Sequence, residues 1–314
     1  MPTISIRAHG VSATRNQQLV NPETGEIMKL TAFNQPERTA TRGWTPNVAR
    51  RNEQRLQQID FDGIDGVPAF VTLTMPSGQM GDVSAAMFHG WLKRWLQFMK
   101  RHGLRHYYWI LEFQASGNPH LHVLAWLDHA WDALETFKAL RSWVGILNKS
   151  GVGARLQGQI WESIDVGGEI NVDGERVPAH PERVLMYLAK HAARGVAHYQ
   201  RQIENMPEDW KYRSGRVWGH DRGLPLCAQQ DVECDYPTFH RFRRLVRRWR
   251  LAEARSIKDA DRRRAAIVQA RGSLKCGRPD VSPYRGISAW LPADVASALL
   301  DAAVNMVGGE CEED

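Results

Sequence analysis

The chain has 314 residues, 43% of them hydrophobic and 24% charged, with a net charge of +6 and four scattered cysteines. That length buries a full core, as one large domain or two smaller ones, and the balance is ordinary for a globular protein. Cys227, Cys234, Cys276 and Cys311 form no CxxC pair, which argues against a disulfide framework and a structural zinc cluster. Met1–Gly10 has no signal-peptide pattern and no apolar run reaches bilayer length, so the expected setting is cytoplasmic, with no membrane partner.

Residues 1–66 read as an arm, mostly irregular. VNPETGE and NQPERTATRGWTP are polar and turn-rich, so little regular structure is expected before Trp44. Asn47–Gln58 is a short surface helix with few apolar anchors. Val67–Pro76 is the first convincing strand, rich in β-branched and aromatic residues. Val83–His102 follows as an amphipathic helix, with Met87, Trp91, Trp95 and Met99 at every fourth position beside Phe88, Leu92 and Leu96. Gly103 is its natural stop.

Next come two apolar-rich runs, Tyr107–Phe113 and Leu121–Leu127, separated by Ser116, Gly117, Asn118 and Pro119. Such a pair reads as a β-hairpin. His120 and His122 are two apart, a spacing that points both imidazoles to one face of a strand. The hairpin brings Glu112 alongside them. Two imidazoles and a carboxylate can hold one divalent cation and leave positions open for substrate. Half-buried polar histidines with no ligand are the plain alternative.

Trp131–Leu147 is a second helix, with Phe137, Leu140, Val144 and Leu147 on one face. Val152–Ile164 alternates enough to be a strand, and Gly167–Val177 is a turn-rich excursion or small hairpin. The fold class is therefore α+β: an antiparallel sheet with helices packed on one face and the other face left for a ligand. Pro181–Arg194 is a helix with Pro at its first position and Gly195 at its stop. Arg183, Tyr187, Lys190 and Arg194 share one stripe of it, while Val184, Leu188 and Ala192 dock elsewhere. A tyrosine at a core edge with its hydroxyl in water accounts for Tyr187 equally well.

From Tyr236 to Arg278 there are 14 Lys and Arg against 3 Asp and Glu. This is the electrostatic footprint of a nucleic-acid binder, or else a solvated helix face. Phe239–Arg271 reads as one or two arginine-studded helices, and Arg243, Arg244, Arg247 and Arg248 are its candidate contacts to a DNA backbone.

Three of these motifs, in this order, resemble the HUH superfamily of single-strand DNA nickases, and within it the rolling-circle replication initiators of small phages and plasmids. They are the strand FVTLTMP at Phe70–Pro76, the histidine pair PHLHVLAWL at Pro119–Leu127, and YLAK at Tyr187–Lys190. GRVWGHDRGLP at Gly215–Pro225 is similar to the strand that follows the tyrosine helix in phage-type members. The resemblance covers Val67–Pro225 and implies an HUH endonuclease domain with an RRM/ferredoxin-like palm over 67–226, while the basic helical C-terminal region, 227–314, is expected to bind DNA on its charge alone. It implies a catalytic Tyr187 assisted by Lys190, and Mg²⁺ or Mn²⁺ held by His120, His122 and Glu112. Arg183 and Arg194 would contact DNA.

The implied partners are single-stranded and duplex origin DNA with a host helicase and polymerase, in a bacterial cytoplasm. Some relatives carry two close tyrosines. Here the next is Tyr199, twelve residues on, or about 18 Å along a continued helix, so the site reads as single-tyrosine. An HUH transposase or relaxase, or a non-catalytic DNA- or RNA-binding protein on the same fold, are the competing identities. Gln114 shares the face of Glu112, and Trp109, Trp126, Trp161 and Trp218 are candidate base-stacking residues or core.

Overall fold

A computed structural model describes residues 1–15, 19–20, 27–28, 43–76, 83–159, 164–165, 168–170, 176–178, 184, 198–274 and 286–305. Among them are seven α-helices and strands paired antiparallel throughout, the expected α+β class. The chain divides into two units, one of Pro36–Leu56 and Asp60–Pro225, the other of Met1–Gln35, Gln57–Ile59 and Leu226–Asp314. Among the described residues, no helix is long and apolar enough to cross a membrane.

The first unit is built on a hairpin of Leu104–Phe113 and Pro119–Leu127. It reverses at 114–118, where Gly117 takes φ 80°, a region that strains any side-chain-bearing residue. The Gly117 N–H donates to the Gln114 carbonyl and the Gln114 N–H to that of Asn118, both at 2.9 Å. Val67–Thr74 and Ile164–Asp165 extend one side of the sheet and Trp218–His220 the other, giving five strands. Trp109, Leu111 and Phe113 alternate onto the face covered by helices, where Phe113 meets Trp210 edge-on and Trp109 meets His89.

Helix Ala85–Lys100 is capped by Ser84, and helix Ala133–Asn148 by a reciprocal Asp132–Glu135 box, which satisfies otherwise orphaned N–H groups. Phe88, Trp91, Trp95, Trp143 and Leu147 form the interior. Truncating one of these aromatic rings to alanine typically costs about 3–5 kcal/mol. Met87 and Phe137, expected on the inward stripes, are 40% and 44% exposed. The buried face of the second helix is set by Ala139, Leu140, Trp143, Val144 and Leu147 instead.

Two further expectations change here. Residues 152–155 are not a strand, and Leu156–Gln159 is a short 3₁₀ turn. The Asn148 side chain bonds both the N–H and the carbonyl of Ala154, and the Val152 N–H donates to Leu147. The chain's polar groups are thus taken up by the helix end and not by a ladder. The sheet face away from the two long helices is also partly covered. Asn52, on helix Pro46–Leu56, is buried and accepts from the Tyr108 hydroxyl at 2.7 Å, and Trp44 Nε1–H donates to the Leu111 carbonyl at 2.8 Å.

The second unit replaces part of the expected arm with a sheet. Pro2–Arg7 and Gly10–Arg15 form a hairpin flanked by Gln230–Glu233 and Ile287–Trp290. Ile4, Ile6, Val11 and Ala13 pack with Phe239, Phe242 and Val246 of helix Tyr236–Ser256 and with Ala296 and Ala303 of helix Ala293–Asn305. The basic stretch is accordingly two helices, Tyr236–Ser256 and Ala260–Gly272.

Candidate functional site

Alternation puts Thr72, Thr74, Tyr108, Ile110, Glu112, His120 and His122 on the sheet face away from the two long helices. His120 stands between Glu112 on one neighbouring strand and Thr74 on the other, and His122 between Ile110 and Thr72 in the same way. The two imidazole centroids are 4.4 Å apart with planes at 79°. His122 Nε2 lies 3.6 Å from Glu112 Oε2 and Nδ1 3.5 Å from Thr72 Oγ1. Both histidines are half-buried, whereas Glu112 is 0% exposed. The sequence reading of these three as neighbours on one face is how the structure arranges them.

One member of the cluster had no sequence signal. Arg201 closes the short turn Tyr199–Arg201, and its Nε–H donates to Glu112 Oε1 at 2.8 Å, with both side chains sealed from solvent. Its guanidinium lies 4.0 Å from the centroid of the Trp44 ring. A carboxylate taken wholly out of water needs a compensating charge and hydrogen bonds, and Arg201 supplies both. This pairing leaves Oε2 as the Glu112 oxygen on the histidine side.

Among the described residues, no group of three His, Cys, Asp or Glu side chains already stands as a metal cluster. In donor type the residues nevertheless fit a divalent cation: two imidazoles at adjacent same-face positions and one carboxylate oxygen within 3.6 Å of one of them.

Tyr187, Lys190, Arg183 and Arg194 lie outside the described residues. Of the tyrosines near the site, Tyr108 is unsuited to attack a phosphate. Burial holds its hydroxyl well above the usual range, and that hydroxyl is spent on Asn52. Tyr107 is on the opposite, helix-covered face with Lys100 over its ring, and it too is raised, first by burial and then by the Asp221 carboxylate. Tyr199 is 52% exposed, two residues from Arg201. Trp109 and Trp126 are core, Trp161 lies outside the described residues, and Trp218 is partly exposed. Gln114 heads the hairpin turn.

In the other unit the four arginines singled out from the sequence are placed unequally. Arg244 and Arg248 are exposed, and Arg255 continues their stripe. Arg247 is partly buried. Arg243 is buried, 5.0 Å over the Phe239 ring and 3.0 Å from His240 Nδ1. His240 is held below its ordinary range by burial and then by Arg243 and Arg244, which keeps it a neutral acceptor for Arg243.

Residues 68–212, which enclose the hairpin, the histidines and Arg201, match the family model of the replication-associated protein ORF2/G2P. A Xylella fastidiosa (strain 9a5c) chain carrying a replication-protein name is 30% identical over 318 residues, 98% of this chain and 97% of that one. A second, from strain Temecula1, is 31% identical over 299 residues, covering 92% and 99%. The replication-associated protein G2P of Pseudomonas phage Pf3 is 30% identical over 269 residues, covering 84% and 86%. No solved structure matches the chain.

Proposed function

This chain belongs to the replication-associated protein ORF2/G2P family and is a rolling-circle replication initiator, and we propose that it works by nicking one strand of its origin through a tyrosine, as an HUH endonuclease does. The observation that carries this reading is the half-buried His120–His122 pair beside Glu112, inside the span that matches the family.

In the proposed reaction the Tyr187 hydroxyl oxygen attacks the scissile phosphorus. A tyrosyl–phosphate bond forms, the bond from phosphorus to the 3′ oxygen breaks, and the phenol proton is lost as the 3′ oxygen gains one. The 3′-hydroxyl is then a primer for a host polymerase, and the phosphotyrosine conserves the bond for strand rejoining. A phenol with an ordinary pKa of about 10 is a weak nucleophile at neutral pH. Lys190, one turn along the expected helix, lowers the cost of the phenolate, and Arg183 and Arg194 on the same stripe hold flanking phosphates.

His120, His122 and Glu112 would hold Mg²⁺ or Mn²⁺, which when bound supplies charge neutralisation at the phosphate. Arg201 keeps the Glu112 carboxylate ionised and aimed. Arg244, Arg248 and Arg255 are the proposed contacts to duplex origin DNA. A second reading of the nucleophile rests on Tyr199, which is exposed and opens the short turn that Arg201, the partner of the Glu112 carboxylate, closes.

Incubation with a labelled single-stranded origin oligonucleotide and Mn²⁺, then denaturing electrophoresis, tests the proposal. A protein-sized labelled band that EDTA abolishes is expected. No band under any divalent metal would overturn the nicking mechanism.

A further inference from the structure

The edge strand Trp218–His220 is not used by the chemistry above. Its register sets Trp218 opposite Ile110 and His220 opposite Tyr108, which places both rings on the sheet face that carries the histidines. Ile110 in turn stands opposite His122. Trp218, Ile110 and His122 therefore form one row across three strands, and at ordinary strand spacing the indole sits roughly 10 Å from the imidazole.

Three rings lie close to parallel in one cluster, Trp218 and His220 being themselves 6.5 Å apart with planes at 20°. Tyr108 lies 5.9 Å from Trp218 with planes 6° apart, and 5.9 Å from His220 with planes 14° apart. The bond from Tyr108 to Asn52 fixes the buried end of this cluster. On the reverse side the strand rests on Trp109, and a Cβ at Gly219 would come within 2.9 Å of that ring. A glycine there lets the edge lie close enough to hold Trp218 and His220 in place.

Unlike buried Tyr108, the two outer rings are partly exposed, and exposed Arg216 and Arg222 flank the strand in sequence, Arg216 also lying close enough to His89 to disfavour its charge. The intervening acid, Asp221, is turned inward: its carboxylate accepts from the N–H groups of Tyr107 and Gly223 and pairs with His106. Flat rings between solvent-facing cations suit unpaired bases and their phosphates, because any base can stack and the backbone supplies the charge. A duplex, with its bases already stacked, offers no free base face.

We infer that the Trp218–His220 edge is a stacking platform for bases of the single strand, with Arg216 and Arg222 taking adjacent phosphates. The inference rests on the initiator reading only in taking that strand as substrate.

Fluorescence anisotropy with labelled oligo(dT), in EDTA so that no chemistry intervenes, tests it. Trp218→Ala weakens oligo(dT) binding roughly 5- to 100-fold, the range found for losing one stacked base, and Trp218→Phe restores most of it. Arg216→Ala and Arg222→Ala, both at exposed positions, each flatten the slope of log affinity against log salt by about 0.7. Wild-type oligo(dT) affinity in a Trp218→Ala protein with an unchanged melting temperature overturns the platform, and so does an equal loss on a duplex of the same length. Should Trp218→Ala fail to fold, an unchanged salt slope in both arginine variants overturns it independently. Lost oligo(dT) binding alongside a wild type that forms no adduct would reject nicking and keep the platform. Normal adducts with unaltered binding in every variant would do the reverse.

Discussion

The sheets of the two units each turn polar side chains away from their helices, and they use them differently. In the terminal sheet Arg7 donates through both terminal nitrogens to Ser12 Oγ at 3.2 Å and through Nη1 to Gln57 Oε1 at 3.4 Å, and Ser5 faces Ser12 across the strands. All four are buried. In the other sheet Glu112 is equally sealed and matched by Arg201, but the histidines next to it keep part of their surface in solvent. These bonds run among buried groups, although Gln57 Nε2 itself finds no partner among the described residues, and a set enclosed in this way offers nothing to solvent. A sealed ion pair beside accessible imidazoles has the architecture of a supported site, in which one layer is structural and the next can meet a ligand.

If that contrast is right, the largest effect belongs to the accessible layer. His120→Ala or His122→Ala should cut adduct formation by about 10³-fold, several kcal/mol of transition-state stabilisation, with little change in melting temperature. A folded, fully active double variant would erase the distinction between the two sheets. Arg201→Ala comes next and should damage both properties. It leaves the Glu112 charge buried without its guanidinium, at a cost of about 3–5 kcal/mol. In whatever protein remains folded, Mn²⁺ affinity measured by titration should fall about 10- to 100-fold.

Arg7→Ala should act on stability alone, by about 1–3 kcal/mol in denaturant unfolding, with normal adducts. Lost adducts at an unchanged unfolding midpoint would mean that the terminal sheet is not merely structural. The smallest change is expected from Arg244→Glu and Arg248→Glu, each flattening the salt slope on duplex DNA by roughly 0.9 without unfolding. Arg243→Glu should unfold the terminal unit, because that guanidinium is packed over Phe239.

What the sequence revealed followed from distance along the chain. Glu112, His120 and His122 lie within one hairpin, so a period of two and a turn were enough to bring them together. Arg201 is 89 residues from the carboxylate it neutralises and sits in a three-residue turn with no periodicity. The terminal strands were hidden for a related reason: Pro2–Arg7 finds one neighbour at Gln230–Glu233, and polar, turn-rich sequence follows its short ISI alternation. Arg243 was legible in principle. Phe239 and Val246, four residues before it and three after, put it on the helix face that packs against the sheet. Val152–Ala154 turned on the capture of one backbone by the Asn148 side chain, which no alternation pattern records.

The central claim is that the histidine face serves a tyrosine that becomes joined to DNA. Digesting the adduct formed with origin strand and Mn²⁺, and sequencing the nucleotide-bearing peptide by tandem mass spectrometry, tests it most directly. The account predicts a deoxynucleotide phosphate on Tyr187 and no adduct from Tyr187→Phe. Label on Tyr199, with Tyr187→Phe still reactive, would contradict that assignment, and label on no tyrosine would contradict the mechanism.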